Sequence, residues 1–319
     1  MCLISPGVLT SVLCLGKAGL ESLSHRADLS RLTDAEERAG PNGCRASESP
    51  GMNEERRSPQ LWNYCQTGTG RPLVLLHGIG MSHFAWIAVT PYLCETRRVI
   101  AFDTAGFGCT PPLPEGTVPT IPHLVDDLEK SMQEIGIELP VDIAGNSLGG
   151  YMALEAARRG IARSVVAICP AGLWKEHPAA HVRYVFGIAR LLATRFPAFF
   201  KAAVRVPVLR EMAFAVPVSL GSKRMLSDDA VRVVDDLSRS LAFEETFDAT
   251  RSPFSGMGIT VPVTVAFGDR DYIVTKRSRW RQTLPAHTRW ATIHGWGHVP
   301  MWVDPIGVSR LILDGTKNG

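Results

Sequence analysis

The sequence predicts an α/β protein, a mostly parallel sheet flanked by helices with an inserted helical cap. Three observations carry this. Short runs apolar on both faces, at residues 72–76, 98–102, 141–144, 164–168, 263–267 and 288–293, are separated by helix-like stretches, the pattern of strands covered on two sides. Between Gly172 and about Gly256 the alternation stops, and only helical patterns remain. At the middle strand, Gly145-Asn146-Ser147-Leu148-Gly149 marks an abrupt strand-to-helix turn.

Taken in order, residues 1–55 differ from the rest. The stretch 26–57 is rich in charge, Ser, Gly and Pro with few large apolar residues, so disorder is expected. Residues 8–16 are mildly apolar, but no positive charge precedes them, which argues against a signal peptide. Met52 is a sensible start for the folded protein. A core of 56–171 and 257–319 follows. Within it, 83–93 is expected to be helical, as is 123–135, where Leu124, Leu128, Met132 and Ile135 repeat at helical spacing before Gly136. The cap, 172–256, is read as helices over 181–193, 198–203, 208–214 and 228–241.

Composition bounds the function. The 319 residues are 45% hydrophobic and 20% charged, an ordinary globular balance with enough apolar material for a sizeable core. The net charge of +3 is too small to argue for nucleic acid or an anionic membrane surface. No apolar run approaches the roughly 20 residues that span a bilayer. Seven scattered cysteines without a Cys-x-x-Cys pair read as a reducing, cytoplasmic setting with neither disulfide framework nor zinc site. Gly68-Thr69-Gly70-Arg71-Pro72 lacks the lysine and hydroxyl of a P-loop. Neither metal nor cofactor is expected.

Ser147 is the candidate nucleophile. A sharp strand-to-helix turn holds its central residue in a strained conformation with the hydroxyl clear of the sheet. Gly145 and Gly149, two residues before and after it, lack the bulk that would keep strand and helix apart. Two other readings compete. Gly-x-Ser-x-Gly arises by chance in a chain with 29 glycines. Gly145, Ser147 and Gly150 also nearly spell a dinucleotide fingerprint, although Ser147 replaces the glycine that would touch a pyrophosphate.

Further candidates fall at strand carboxyl ends, where parallel sheets bind ligands: His77-Gly78-Ile79-Gly80, Gly268-Asp269-Arg270-Asp271 and Gly295-Trp296-Gly297-His298. With the Asp103 to Gly108 loop and the elbow at Gly145 to Gly150, these motifs resemble the α/β-hydrolase superfamily in order and spacing, over roughly residues 60–315. The resemblance implies Ser147 as nucleophile, His298 as base and an acid in the Gly-Asp-Arg-Asp loop. It favours Asp271, leaving Asp269 as a turn-former. The oxyanion donors it implies are the backbone N–H groups of Leu148 and Ile79. His77 and Asp103 are read as structural. Members of the superfamily that open epoxides or break carbon–halogen bonds place an aspartate at the elbow, so Ser147 favours attack on a carbonyl.

The cap is rich in Phe, Leu, Val, Ala and Met, most of it read as packing. A largely dry pocket for an apolar acyl or aromatic small molecule is inferred, with Trp296 and Trp302 beside His298 as candidate substrate contacts. A serine esterase leads. A carbon–carbon bond hydrolase of the meta-cleavage-product type is the nearest rival, weakened because Val299, not an aromatic residue, follows His298. Thioesterase, amidase, acyltransferase and cofactor-free peroxidase readings stay open, as does a ligand-binding receptor on the same fold. Oligomeric state is not legible.

Overall fold

The computed structural model describes residues 61–317, so the disorder expected over 1–55 lies outside the described residues. Seven strands form one sheet: β1 (Tyr64–Thr67), β2 (Arg71–Leu76), β3 (Arg97–Phe102), β4 (Val141–Asn146), β5 (Ala162–Ile168), β6 (Val263–Gly268) and β7 (Arg289–Ile293). Their spatial order is β1-β3-β2-β4-β5-β6-β7. All neighbours run parallel except β1, which pairs antiparallel with β3 from Tyr64 opposite Phe102 to Thr67 opposite Val99. β1 has only four residues and no clean apolar alternation, so the sequence did not reveal it. The six expected strands form within two residues of their expected bounds.

The core helices are α1 (Thr90–Leu93), α2 (Ile121–Glu134), α3 (Leu148–Arg158) and a last one, Pro305–Gly315. Residues 83–93, expected as one helix, instead form a 3-10 turn over His83–Trp86 and the single-turn α1. Pro91 has no N–H to continue a helix from the preceding turn, and α1 begins around it. α2 opens with Thr120 accepting from the His123 N–H, a side-chain cap that satisfies one orphan donor.

Between β5 and β6 the chain leaves the sheet and builds α4 (His181–Arg195), α5 (Pro197–Arg205), α6 (Pro207–Phe214), α7 (Ser227–Arg239) and α8 (Phe243–Ala249). The final core helix is α9 (Pro305–Gly315), capped by the Asp304 carboxylate on the Gly307 N–H. Phe196-Pro197 and Val206-Pro207 separate α4, α5 and α6, since each proline starts a helix it could not continue. α8 and α9 are additions to the sequence reading.

Chain direction reverses at the centre of the sheet: from β2 it goes outward to β3, then back across to β4. The carboxyl ends of β2 and β4 lie at that reversal, the place where open α/β sheets bind ligands. At the opposite end of the strands, buried Asp142 on β4 is ringed by Arg97, Arg71 and Arg163, the last two at 3.0 and 3.1 Å. Among the described cysteines, Cys109 is disulfide-bonded, which departs from the expectation of a chain without bridges. No helix among the described residues is long and apolar enough to cross a membrane.

Candidate active site

Ser147 stands between β4 and α3 with φ 53° and ψ −112°, a region that costs a non-glycine residue about 1–3 kcal/mol. Close packing holds it there. A Cβ on Gly145 would lie 2.1 Å from the Gly149 carbonyl oxygen, and one on Gly149 would lie 2.2 Å from that of Leu76. The Ser147 N–H donates to the Ile168 carbonyl at 3.0 Å, and the Gly149 N–H to that of His77 at 3.1 Å. The elbow is thereby tied to both neighbouring strands.

Ser147 Oγ lies 2.9 Å from His298 Nε2, and His298 Nδ1 lies 3.2 Å from Asp271 Oδ2. All three residues are buried. The second carboxylate oxygen of Asp271 accepts the N–H groups of Ile273 and Val274 at 2.8 and 2.9 Å. Burial pushes the Asp271 carboxyl up, but the His298 ring and these two amides outweigh it and hold it below the usual carboxylate range. An ionised Asp271 places the proton on Nδ1, leaving Nε2 free to accept from the Ser147 hydroxyl. Asp269 faces elsewhere, bonding the Gly295 N–H at 2.8 Å and His294 Nδ1 at 2.7 Å. It shapes the loop and does not reach His298.

The loop after β2 approaches the nucleophile because residue 78 has no side chain. A Cβ on Gly78 would sit 3.4 Å from Ser147 Cβ and 3.2 Å from Asn146 Oδ1. His77 holds this loop. Its Nε2 accepts the Thr104 N–H at 3.0 Å while Nδ1 donates to the Gly78 carbonyl at 2.7 Å. That pairing requires a neutral ring, which agrees with burial lowering its pKa. Asp103 is likewise structural, bonding Asn63, His83 and the Cys109 N–H. Ile79 and Leu148 both line the cavity over Ser147. Leu148 opens α3, so its N–H has no intrahelical acceptor.

That cavity is a cleft of about 470 Å³ when the open solvent at its mouth is counted. Trp174, Val182, Phe186, Phe247, Ile273 and Val274 form its walls, with Thr250 and Ser278 as the polar exceptions. Ile79 and Phe186 also border a second apolar space, lined by Phe200, Phe214 and Val234.

Neither tryptophan expected to contact substrate borders the cavity at Ser147. Trp296 is buried, its indole donating to Asp304 Oδ2 at 2.8 Å, so the start of α9 holds the ring away from the site. Trp302 borders a separate cleft with Met81, Phe84 and Arg232. The aromatic wall comes instead from Trp174, Phe186 and Phe247, on the segments joining β5 to β6. Periodicity gave no means of choosing these three from the other aromatics of that region.

Two further features complete the surroundings. Cys169, directly after β5, has φ 45° and is fully buried, its thiol 3.6 Å from the Gly297 carbonyl. Its position at a strand carboxyl end, one strand from Ser147, is the signal that could have found it. Cys169, Asp271 and His298 offer S, O and N atoms within 4.8 Å of one another. Burial and the neighbouring carboxylate push the thiol well up, whereas a metal needs the thiolate. The His298 loop is also clasped by the segment between α6 and α7: the Val299 N–H donates to Val218 O and Ser219 Oγ to Val299 O, both at 2.8 Å.

This fold and elbow define a class. The family described as the alpha/beta hydrolase fold matches residues 71–305, and the chain belongs to it as a hydrolase of that fold. Among its relatives, the epoxide hydrolase EphH of Mycobacterium tuberculosis is 30% identical over 207 residues, 59% of this chain and 91% of that protein. The 2-hydroxy-6-oxo-2,4-heptadienoate hydrolase of Pseudomonas putida is 38% identical over 100 residues, 30% of this chain and 36% of that protein. Among solved structures, a meta-cleavage product hydrolase from Pseudomonas fluorescens IP01 shares the fold with a TM-score of 0.62 at 22% identity, over 80% of this chain and 94% of that one.

Proposed function

We propose that the protein is a serine hydrolase that cleaves carboxylic esters carrying an apolar acyl or aromatic group. One observation carries the reading: the hydrogen-bonded succession from Ser147 Oγ through His298 to Asp271, with steps of 2.9 and 3.2 Å. In the reaction, Ser147 Oγ bonds to the ester carbonyl carbon while its proton passes to His298 Nε2. Asp271 stabilises the imidazolium. The oxyanion that forms accepts the N–H groups of Ile79 and Leu148, each typically worth about 3 kcal/mol in barrier height. Collapse expels the alcohol, protonated by His298. Water, deprotonated by the same ring, then attacks the acyl-enzyme, releases the acid and restores Ser147. The cycle calls for neither metal nor cofactor.

Serine at the elbow favours this chemistry over epoxide opening, for which similar enzymes place an aspartate there. The apolar walls and the second space beyond Ile79 and Phe186 suit an acyl chain or ring rather than a charged group. The Pseudomonas putida relative, and the resemblance of Gly145-Asn146-Ser147-Leu148-Gly149-Gly150 to the elbow of such enzymes, favour a second reading, hydrolysis of a carbon–carbon bond in a ring-cleavage product by the same three residues.

A fluorophosphonate probe tests the nucleophile. Labelling at Ser147, abolished in Ser147→Ala, is the expected result, and folded protein that takes no label would assign the chain to a binding role. Turnover of p-nitrophenyl esters of increasing chain length, beside a dienoate substrate, separates the two chemistries. Phe186→Ala is expected to move the ester optimum toward longer chains, because it joins the two apolar spaces.

A further inference from the structure

Helices α4 to α6 are apolar on two faces. Inward, Val182, Phe186, Phe200 and Phe214 border the cavities or pack beneath them. Outward, Tyr184, Ile188 and Leu191 repeat at i, i+4 and i+7 on α4, Phe199 projects from α5, and Val208 and Met212 repeat at i and i+4 on α6. These six side chains are 54–73% exposed. Large apolar groups exposed in such helical stripes mark an interaction site, and helices apolar on opposite faces require cover on both.

Charge identifies the cover. Across α4 to α6, residues 181–214 contain Arg183, Arg190, Arg195, Lys201, Arg205 and Arg210 against one acid, Glu211, whose carboxylate accepts the Gly221 and Lys223 N–H groups. Three of these cations are engaged within the protein: Arg190 with Glu244, Lys201 with Asp235, and buried Arg210 with the Ser222 and Val204 carbonyls. Arg183, Arg195 and Arg205 are exposed, and no ion pair engages them among the described residues. The whole-chain net charge of +3 conceals this segregation.

We propose that the outer face of α4 to α6 docks the protein onto an anionic lipid bilayer. The apolar side chains enter the boundary between headgroups and acyl chains, and Arg183, Arg195 and Arg205 meet lipid phosphates. A second copy of this chain is the weaker occupant, because a two-fold contact would bring unpaired guanidinium groups of like sign together. Docking is independent of the hydrolase reading.

Co-sedimentation of the full chain with vesicles tests the proposal. Vesicles containing phosphatidylglycerol are expected to carry the protein down, while pure phosphatidylcholine vesicles carry much less, and added salt weakens the binding. Arg195→Gln with Arg205→Gln is expected to weaken binding to the anionic vesicles about 30-fold. Leu191→Asp with Phe199→Asp is expected to abolish it, with the thermal transition unchanged. The arginine pair, at exposed positions, carries the test should the apolar variant fail to fold. Three outcomes would each overturn docking: variants that sediment like the parent, no sedimentation with either vesicle, or a dimer that the same substitutions dissociate.

Discussion

Asp269 and Asp271 sit two residues apart in one loop, yet their surroundings divide the work. Asp271 is buried with one oxygen on two backbone amides and the other toward His298, whereas Asp269 bonds Gly295 and His294 near the surface. Asp271→Asn is expected to lower kcat by about 10⁴-fold, by removing the charge that fixes the Nδ1–H tautomer. Asp269→Asn should leave kcat unchanged. Steady-state rates on one short ester compare the two directly. The sequence named both aspartates and, through the resemblance, preferred the second. Trp296 was misplaced because adjacency in sequence says nothing of side-chain direction. The Asp304 carboxylate that captures its indole belongs to a helix the sequence reading did not include.

At the scale of elements, the elbow was legible because its glycines answer a steric demand. Gly149→Ala would place a Cβ 2.2 Å from the Leu76 carbonyl oxygen. It is expected to cost at least about 3 kcal/mol or to block folding, read from the urea midpoint. The 83–93 segment was misread because apolar spacing masked the interruption at Pro91, and β1 because four residues on an edge carry little pattern.

A pH effect belongs to α7. Its Asp236 accepts from Ser82 Oγ at 2.5 Å, with Arg232, Asp103 and His83 nearby, and burial pushes the carboxyl up to about 6. The folded form therefore binds a proton that the unfolded chain releases near pH 4. Stability is fully present below pH 4 for this group and is lost as pH rises through about 6. Asp236→Asn is expected to stabilise the protein at pH 8 by about 1–3 kcal/mol, and to change little at pH 4, in denaturant titrations at the two values.

Over the whole molecule, the two ends of the sheet differ in purpose. The carboxyl ends hold Ser147 and His298. At the other end Asp142 gathers arginines from β2, β3 and the start of β5, and Arg97 reaches Thr316 beyond α9 at 2.8 Å. Arg97→Met leaves the buried Asp142 short of its most enclosed partner and is expected to cost about 3–5 kcal/mol. Activity per folded molecule should stay unchanged, measured as rate against active-site titration. The parallel architecture was legible from runs apolar on both faces. The arginine cluster was not, because its members are scattered along the chain and share no motif.

The clasp between residues 218–219 and the His298 loop bears on how a guest reaches Ser147. Two hydrogen bonds to the Val299 backbone stitch residues 218–219 to the His298 loop, and a Cβ on Gly297 would lie 2.5 Å from Ser219 Oγ. A wholesale swing of that segment would rip this seam and drag the imidazole out of register. An opening of the outer helices that leaves this seam shut would keep Ser147, His298 and Asp271 in alignment.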